Sequence, residues 1–206
     1  MSDSILLQGL KRYLTPEQLE LLSQTKVGLA GLGGLGSNCA LMLVRTGLSK
    51  FVLIDDDLVE PSNLNRQQYW PKDVGTFKTE ALVARLLDLN PNLDLEICSY
   101  KLTAQNLSEV VSKAPLWIEA LDQAEMKARV VEAALLSGAF VVGASGVAGF
   151  GQNLSRKKVG SNLVLVGDFT SDCQDFPVLA PKVTWASAMM ADTVISFILN
   201  GGKLPF

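Results

Sequence analysis

The fold is decided by the stretch Val27-Gly28-Leu29-Ala30-Gly31-Leu32-Gly33-Gly34-Leu35-Gly36-Ser37. It begins with apolar residues typical of a buried strand, continues with glycines in the spacing G-x-G-x-x-G, and leads into a helical pattern over residues 38–47. Glycines allow a tight turn and a close approach to a phosphate, and the N-terminus of the next helix points N–H groups at the anion. The stretch therefore predicts a nucleotide-binding turn, although the same spacing also occurs in tight turns of other α/β folds.

Strand-like and helix-like segments alternate along most of the chain. Strands are predicted at 27–30, 51–54, 93–99, 116–120, 140–142 and 162–167, and helices at 15–24, 36–46, 76–89, 103–113, 123–136 and 185–199. This alternation predicts an α/β, Rossmann-like doubly wound fold with a mainly parallel sheet, in which the last strands could be antiparallel. Because no linker or internal repeat interrupts the pattern, we expect one domain over residues 1–206.

The composition excludes several classes of site. Histidine is absent, so the chain holds neither a Ser-His-Asp or Cys-His catalytic group nor a histidine metal ligand. Its three cysteines, Cys39, Cys98 and Cys173, lie far apart and form no C-x-x-C pair, so we expect no zinc. Scattered free thiols are typical of the reducing cytoplasm, which is the location that we expect.

Charge and hydropathy argue against two kinds of partner. The net charge is −3, which provides no global positive field for nucleic acid. We recognise no apolar run long enough to cross a bilayer, so we expect no membrane partner.

A carboxylate follows the second predicted strand. Asp55 lies about twenty residues after the glycine turn, where Rossmann folds place an acidic residue that binds the ribose hydroxyls. A nicotinamide dehydrogenase and an ATP-dependent enzyme are equally good interpretations at this point. The polar segment 55–68 then adds an arginine and several amides, and Lys78 falls in the first turn of a predicted helix. The helix dipole disfavours a lysine there, and a bound phosphate would explain it.

Four motifs together resemble one known family. They are G-L-G-G-L-G-S at 31–37, D-x-D-x-V-x-x-S-N-L-N-R-Q at 55–67, G-x-x-K-x-E at 75–80, and a predicted strand ending in Asp122 with Arg129 after it. In this combination the chain resembles the ThiF/MoeB/HesA family, the bacterial relatives of ubiquitin-activating enzymes. The short chain and the glycine-rich stretch 143–149 most resemble the thiamine-pathway branch that activates the sulfur carrier protein ThiS.

The resemblance implies a reaction and its partners. ATP and the C-terminal glycine carboxylate of a small ubiquitin-like sulfur carrier ending in Gly-Gly would give an acyl-adenylate and pyrophosphate, with Mg²⁺ as the metal. A carboxylate that attacks the α-phosphate needs no strong base, so the absence of histidine does not conflict with this chemistry. Relatives dimerise, and we therefore expect a homodimer.

The resemblance also assigns roles to individual residues. The backbone of the glycine turn would bind the nucleotide, a carboxylate after the second strand would bind the ribose, and polar side chains would contact the phosphates. The implied nucleotide-binding residues are Gly31, Gly33, Gly34, Gly36, Asp55, Asp57, Asn63, Arg66, Gln67 and Lys78. The implied catalytic residues are Arg66, Lys78, Asp122 and Cys173, with Asp122 as the Mg²⁺ ligand.

Three of these assignments have a simpler alternative. Asp122 could be the N-cap of the following helix, and Arg129 could be a surface residue. Cys173 lies eight residues before Pro181, the spacing of a loop cysteine that in relatives links to the carrier or passes on sulfur. No histidine is available to activate this thiol.

Other functions remain open from the sequence. A related enzyme could activate a different carboxylate or a tRNA base, and the basic run 156–158 would be a local contact for nucleic acid. A non-catalytic module that binds a nucleotide or a carrier is a third possibility. A nicotinamide dehydrogenase ranks last, because no pair of residues resembles a hydride-transfer acid and base.

Overall fold

A seven-stranded sheet forms the centre of the computed structural model, which describes residues 4–206. The spatial order is β3-β2-β1-β4-β5-β7-β6, and neighbours are parallel except β6 and β7, which are antiparallel. The strands are β1 (Lys26–Ala30), β2 (Lys50–Ile54), β3 (Asp94–Cys98), β4 (Leu116–Glu119), β5 (Phe140–Ala144), β6 (Ser155–Val159) and β7 (Leu163–Gly167). The predicted α/β class, with its antiparallel last strands, is confirmed.

Helices cover both faces of the sheet, as the doubly wound prediction requires. They are α1 (Ile5–Leu10), α2 (Pro16–Gln24), α3 (Gly34–Thr46), α4 (Lys78–Leu89), α5 (Leu107–Val111), α6 (Ala124–Leu136) and α7 (Ala180–Leu199). One core cluster contains buried side chains of α2, α3, α4 and α7, and the other contains those of α5 and α6. Burial of these two apolar faces is the main force that holds the layers together.

Two elements escaped the sequence prediction. The strand β6 reads Ser-Arg-Lys-Lys-Val and pairs with β7 alone among the described residues, so it shows no apolar alternation. Basic residues are common on edge strands because they discourage pairing with another chain. The helix α1 has six residues, no buried side chain and an N-cap at Ser4, which leaves it without a hydrophobic period.

Two predicted helices have different bounds in the structure. The expected helix 103–113 is reduced to α5, because the Asn106 side chain accepts the Thr103 N–H in a separate turn before it. The last helix begins at Ala180 rather than at residue 185, with Pro181 in its first turn. Proline is favoured there because the first N–H groups of a helix have no intrahelical partner.

The expectation that no segment could cross a bilayer is wrong by length and composition. The helix α7 has 20 residues and a mean hydropathy of 1.2, and half of it is buried inside the protein. Its buried side chains include Val183, Met190 and Val194, and they belong to the same core cluster as those of α3. Here α7 is therefore a core helix.

The strand β3 lies at the opposite edge of the sheet from β6 and is acidic. Its Glu96 carboxylate bonds two lysines, with 2.9 Å to Lys26 Nζ and 2.6 Å to Lys113 Nζ. These hydrogen bonds lower the pKa of Glu96 below its ordinary value. The two contacts tie the edge strand to β1 and to the segment after α5.

Two glycines allow α3 to start directly on the end of β1. Gly31 has a φ of +92°, and a Cβ there would lie 2.6 Å from the Ala120 carbonyl oxygen. A Cβ on Gly36 would overlap the Gly31 carbonyl oxygen. The first and third glycines of the motif are therefore required by packing before any ligand is considered.

We expect Gly36→Ala to lower the free energy of unfolding by about 3 kcal/mol, because the added methyl group would overlap the Gly31 carbonyl oxygen and force the helix away from the strand. Gly9→Ala is the matched control, since a Cβ at this exposed position in α1 meets no atom within 4 Å. It should stabilise the protein by up to about 1 kcal/mol. Denaturant unfolding curves measure both values, and equal stability of the two variants would contradict the packing argument.

Candidate nucleotide-binding site

The predicted site residues meet at the carboxyl ends of β1, β2 and β4. The strand order reverses at β1, because β2 lies on one side of it and β4 on the other. In open α/β sheets such a switch point forms a crevice that binds ligands. The glycine turn follows β1, the acidic segment follows β2, and Asp122 comes shortly after β4.

Both carboxylate oxygens of Asp55 are hydrogen-bonded to backbone N–H groups of the protein. Its Oδ2 accepts the Leu32 N–H at 2.7 Å, and its Oδ1 accepts the Asp57 N–H at 2.9 Å. The side chain is 8% exposed, and burial raises the pKa of Asp55 although the Lys78 charge lowers it. Asp55 therefore anchors the glycine turn to the end of β2.

Asp57 has the exposed carboxylate of the acidic segment that follows β2. Its side chain is 62% exposed, and Oδ2 lies 2.6 Å from Lys78 Nζ. The Lys78 N–H also donates to the Asp57 carbonyl oxygen. Since α4 begins at Lys78, the lysine does fall in the first turn of a helix, as predicted. The buried ammonium of Lys78 is balanced by Asp57 and, at 3.8 Å, by Asp55.

Hydrogen bonds attach the segment 62–68 to the first turn of α3. Asn38 donates through Nδ2 to the Arg66 carbonyl oxygen at 3.1 Å, and its Oδ1 accepts from Gln68 Nε2 at 2.7 Å. The Ser37 hydroxyl accepts the Gln68 N–H at 3.1 Å. Ser37 and Asn38 were not among the predicted site residues, although two buried polar residues in an apolar helix are a signal of such a role.

Arg66 carries a positive charge that no carboxylate neutralises within residues 4–206. Its Nη1 donates to the Ser62 carbonyl oxygen at 3.0 Å and to Asn65 Oδ1 at 2.8 Å, and both acceptors are neutral. A Cβ on Gly34 would lie 3.5 Å from Arg66 Cγ. The guanidinium stem therefore packs beside the glycine turn, where it could pair with an anion.

Gln67 is 8% exposed, and its Oε1 has no hydrogen-bond partner among the described residues. Its Nε2 would lie 3.6 Å from a Cβ on Gly33. A buried amide oxygen without a donor is costly, and a ligand that donates to it would remove the cost. Asn63, by contrast, is occupied, because its Oδ1 accepts the Glu60 N–H at 3.0 Å.

Tyr69 links the glycine turn to α4. Its buried hydroxyl donates to the Leu32 carbonyl oxygen at 2.8 Å and approaches the Lys78 carbonyl oxygen at 3.3 Å. Burial raises the pKa of Tyr69, which keeps the phenol neutral. This residue was also missed by the sequence analysis, since nothing in its position along the chain indicates the contact.

Asp122 is exposed and has no hydrogen-bond or ion-pair partner among the described residues. The N-cap of α6 is Gln123, so the alternative assignment of Asp122 as the N-cap is wrong. Arg129 lies on the surface, 2.8 Å from Glu125. Lys127 has the structural role here, because it bonds the buried Glu119 at 2.8 Å and the Leu121 carbonyl oxygen at 3.0 Å.

The donor set at Asp122 suits Mg²⁺ only together with a nucleotide. No group of three His, Cys, Asp or Glu side chains is close enough to hold a metal in the part of the chain that the structure describes. Magnesium commonly takes one or two carboxylates and completes its shell with phosphate oxygens and water. A single exposed carboxylate, two residues after the Ala120 carbonyl that packs against Gly31 of the glycine turn, fits that pattern.

The three cysteines differ in exposure. Cys39 and Cys98 are buried in the core, and Cys173 is exposed. Burial raises the pKa of Cys39 to about 12. Cys173 lies in the segment between β7 and α7, which is a loop as expected. Its reactive role stays a prediction.

The basic run after the glycine-rich stretch is partly neutralised. Arg156 forms an ion pair with Asp192 and donates to the Thr193 hydroxyl at 3.0 Å. Lys157 Nζ lies 6.0 Å from the centre of the Phe169 ring. The run thus contributes less free positive charge than its sequence suggests.

Curated relatives match part of the chain. The ubiquitin-like modifier-activating enzyme 5 of Bombyx mori is 34% identical over 120 residues, which are 56% of this chain and 30% of that protein. The SAMP-activating enzyme E1 of Haloferax volcanii is 36% identical over 108 residues, 52% of this chain and 40% of that protein. The chain thus spans well under half the length of these relatives.

Solved structures share the fold. The tRNA N6-threonylcarbamoyladenosine dehydratase TcdA of E. coli, in complex with ATP, has a TM-score of 0.84 at 21% identity, with 94% of this chain and 93% of that chain covered. E. coli MccB with ATP has a TM-score of 0.73 at 23% identity, with 92% and 60% covered. The model of the ThiF family matches residues 7–205, and the chain therefore belongs to the ThiF family.

Proposed function

We propose that this protein binds ATP at the glycine turn and transfers its AMP to the C-terminal glycine carboxylate of a small ubiquitin-like carrier protein. The observation that carries the proposal is the un-neutralised Arg66 guanidinium, whose side chain packs beside Gly34 of the glycine turn. Membership of the ThiF family supports it. So do the names of the relatives, which activate ubiquitin-like modifiers or SAMP.

The geometry supports a different role for each group of the site in ATP binding. The N–H groups at the start of α3 would receive the phosphates. Asp57 would accept the ribose hydroxyls, because its carboxylate is exposed while both Asp55 oxygens are bonded to backbone N–H groups. Gln67 would accept a donor from the ligand through its unpartnered Oε1. Structures of TcdA and MccB, which share this fold, contain ATP.

The chemical step needs positioning and charge stabilisation. A carboxylate oxygen of the carrier attacks the α-phosphorus, a new P–O bond forms, and the bond to the bridging oxygen breaks. Pyrophosphate leaves with the electron pair, so no proton has to be removed from the nucleophile. Arg66 can donate two N–H groups to the departing phosphates, and Lys78 adds a point charge. A Mg²⁺ ion held by Asp122 would neutralise phosphate charge.

We propose ThiS as the carrier, because the glycine-rich stretch 143–149 resembles the branch that activates it. A homodimer in the cytoplasm is part of the same proposal. An alternative is the activation of a tRNA base, which the fold similarity to a tRNA-modifying dehydratase favours. Specific tRNA binding at physiological salt, without carrier-dependent turnover, would favour that alternative.

The first test is exchange of labelled pyrophosphate into ATP. With Mg²⁺, we expect exchange to depend on a ThiS-type carrier that ends in Gly-Gly, because the adenylate forms reversibly on its carboxylate. A carrier that lacks the last glycine is the control and should give none. Exchange with another ubiquitin-like carrier alone would refute ThiS, and absence of exchange with every carrier would refute the adenylation itself.

Arg66→Ala should lower the exchange rate by about 10² to 10³, as expected for the loss of a donor that stabilises developing charge. The fold should remain intact, because both Arg66 acceptors are local and neutral. Arg129→Ala is the matched control, since Arg129 pairs on the surface with Glu125. If Arg66→Ala were as active as Arg129→Ala, Arg66 would be removed from the site.

Substitutions of Asp55 and Asp57 should have different main effects, one on the stability of the protein and the other on ATP binding. Asp57→Asn should raise the KM for ATP about tenfold through weaker ribose binding, and it should cost no more than about 1 kcal/mol of stability, because the amide oxygen can still accept from Lys78 while Asp55 keeps its charge. Asp55→Asn should instead lower the free energy of unfolding by about 1–3 kcal/mol, because an amide replaces one of two acceptor oxygens. Steady-state kinetics and denaturant unfolding give both values. If Asp55→Asn raised the KM for ATP and Asp57→Asn mainly lowered stability, the ribose-binding residue would be Asp55 instead of Asp57.

A further inference from the structure

A buried ion pair closes the base of the loop that carries Cys173. We define this loop as residues 169–179, between β7 and α7. Asp168 precedes it and Lys182 follows it, and their side chains are each 5% exposed with 2.6 Å between Oδ2 and Nζ. Lys182 Nζ also donates to the Ala148 carbonyl oxygen and to Gln152 Oε1. Both ends of the 169–179 loop are therefore fixed to the same point.

Asp168 also organises the first residues of the loop. Its Oδ1 accepts the N–H groups of Thr170 at 2.8 Å and Ser171 at 2.7 Å. Burial raises the pKa of Asp168, but these hydrogen bonds and the one from Lys182 outweigh it and hold the pKa well below its ordinary value. Gly146 passes so close that a Cβ there would overlap Asp168 Oδ1. The carboxylate is thus ionised, and it is fully bonded where it lies.

The C-terminal part of the loop is connected to Arg66 through the side chain of Asn65. Asn65 donates through Nδ2 to the Val178 carbonyl oxygen at 3.1 Å. Its Oδ1 accepts from Arg66 Nη1 at 2.8 Å. A single exposed amide therefore bonds the loop on one side and the guanidinium on the other.

We propose that Asn65, together with the Asp168–Lys182 ion pair, is a positioning element that holds the 169–179 loop in a fixed relation to Arg66. The ion pair fixes the base of the loop, and Asn65 holds its C-terminal part at Val178. Loss of either contact loosens the loop, and loss of Asn65 also frees Arg66 from one of its two acceptors. The consequence for phosphate binding rests on the proposed function, whereas the connection between Arg66 and the loop does not.

The Cys173 thiol reports on the loop without any nucleotide. It is exposed, and the other two thiols are buried, so dithiobis(nitrobenzoate) should label one thiol rapidly in the native protein. We expect Asn65→Ala to raise the rate of Cys173 labelling about fivefold, the effect of one lost hydrogen bond. The melting temperature should stay within about 2 °C, because Asn65 is a surface residue.

Arg66→Ala tests the connection from the other side. With Arg66 gone, Asn65 loses one of its two bonds and is held less firmly against Val178, so we expect labelling about twofold faster. Asn162→Ala is the matched control, because Asn162 is an exposed asparagine with one long bond to the Gly138 carbonyl oxygen, at the amino end of β7 and away from the loop. It should leave the labelling rate unchanged. Wild-type rates in both Asn65→Ala and Arg66→Ala would overturn the proposal.

The base of the loop is tested with both charges removed together. Removing one partner of a buried ion pair leaves the other uncompensated, whereas removing both is far milder. The double variant Asp168→Asn, Lys182→Met should therefore fold, as circular dichroism checks, and should label about tenfold faster through loss of the base contacts. A folded double variant with the wild-type rate would refute the role of the ion pair.

The activity measurement separates this inference from the proposed function. In Asn65→Ala the KM for ATP should rise about fivefold while the melting temperature stays unchanged. If labelling accelerates and the KM does not change, Asn65 does not position Arg66 for phosphate binding. If the wild-type protein shows no exchange with any carrier, the proposed function fails, and the labelling rates still decide whether Arg66 and the loop are connected.

Discussion

The direct contact between α3 and the end of β1 is the constraint on which the rest of the site depends. Because Gly36 lies against the Gly31 carbonyl oxygen, the first turn of the helix starts within a few residues of the strand end. Ser37 and Asn38 then sit where they can hold the segment 62–68. Asp55 fixes the same turn from β2. A side chain at position 36 would displace all of these contacts together.

The two cations of the site have different electrostatic environments. Lys78 is buried between two carboxylates, so its charge is already balanced and its position is fixed. Arg66 has neutral acceptors, both in its own segment. A polyanion that enters the crevice would therefore find its main attraction in Arg66, because Lys78 can offer it less uncompensated charge.

Much of the fold followed from hydrophobic periodicity and from glycine positions. The alternation of elements predicted the parallel sheet, since each helix and strand of the core carries its own apolar pattern. The short helix α1 and the basic edge strand β6 carry none, because neither buries a full face. Their existence depends on neighbours that are distant in sequence, such as β7 for β6.

In the candidate site, too, features with a local sequence pattern were predicted and features that depend on tertiary contacts were not. The motifs predicted that the glycine turn, the segment 55–67 and Lys78 lie together, because parallel strands bring their carboxyl ends to one edge. They did not predict that Asp57 rather than Asp55 is exposed, since that depends on which backbone N–H groups the turn directs at each carboxylate. Tyr69 and Lys127 were missed for a related reason, as their partners are set by tertiary packing.

The ion pairs of Glu96 with Lys26 and Lys113 affect the charge that the β3 edge presents to another copy of this protein. The two edges of the sheet have opposite character, with acidic residues on β3 and three successive basic residues on β6. Opposite edges of this kind could join head to tail, and such a contact repeats without closing and grows into fibres. Lys26 and Lys113 already satisfy Glu96, which weakens the attraction for the basic edge of a second copy. The lysine pair thereby lowers the net negative charge that the β3 edge presents to another molecule.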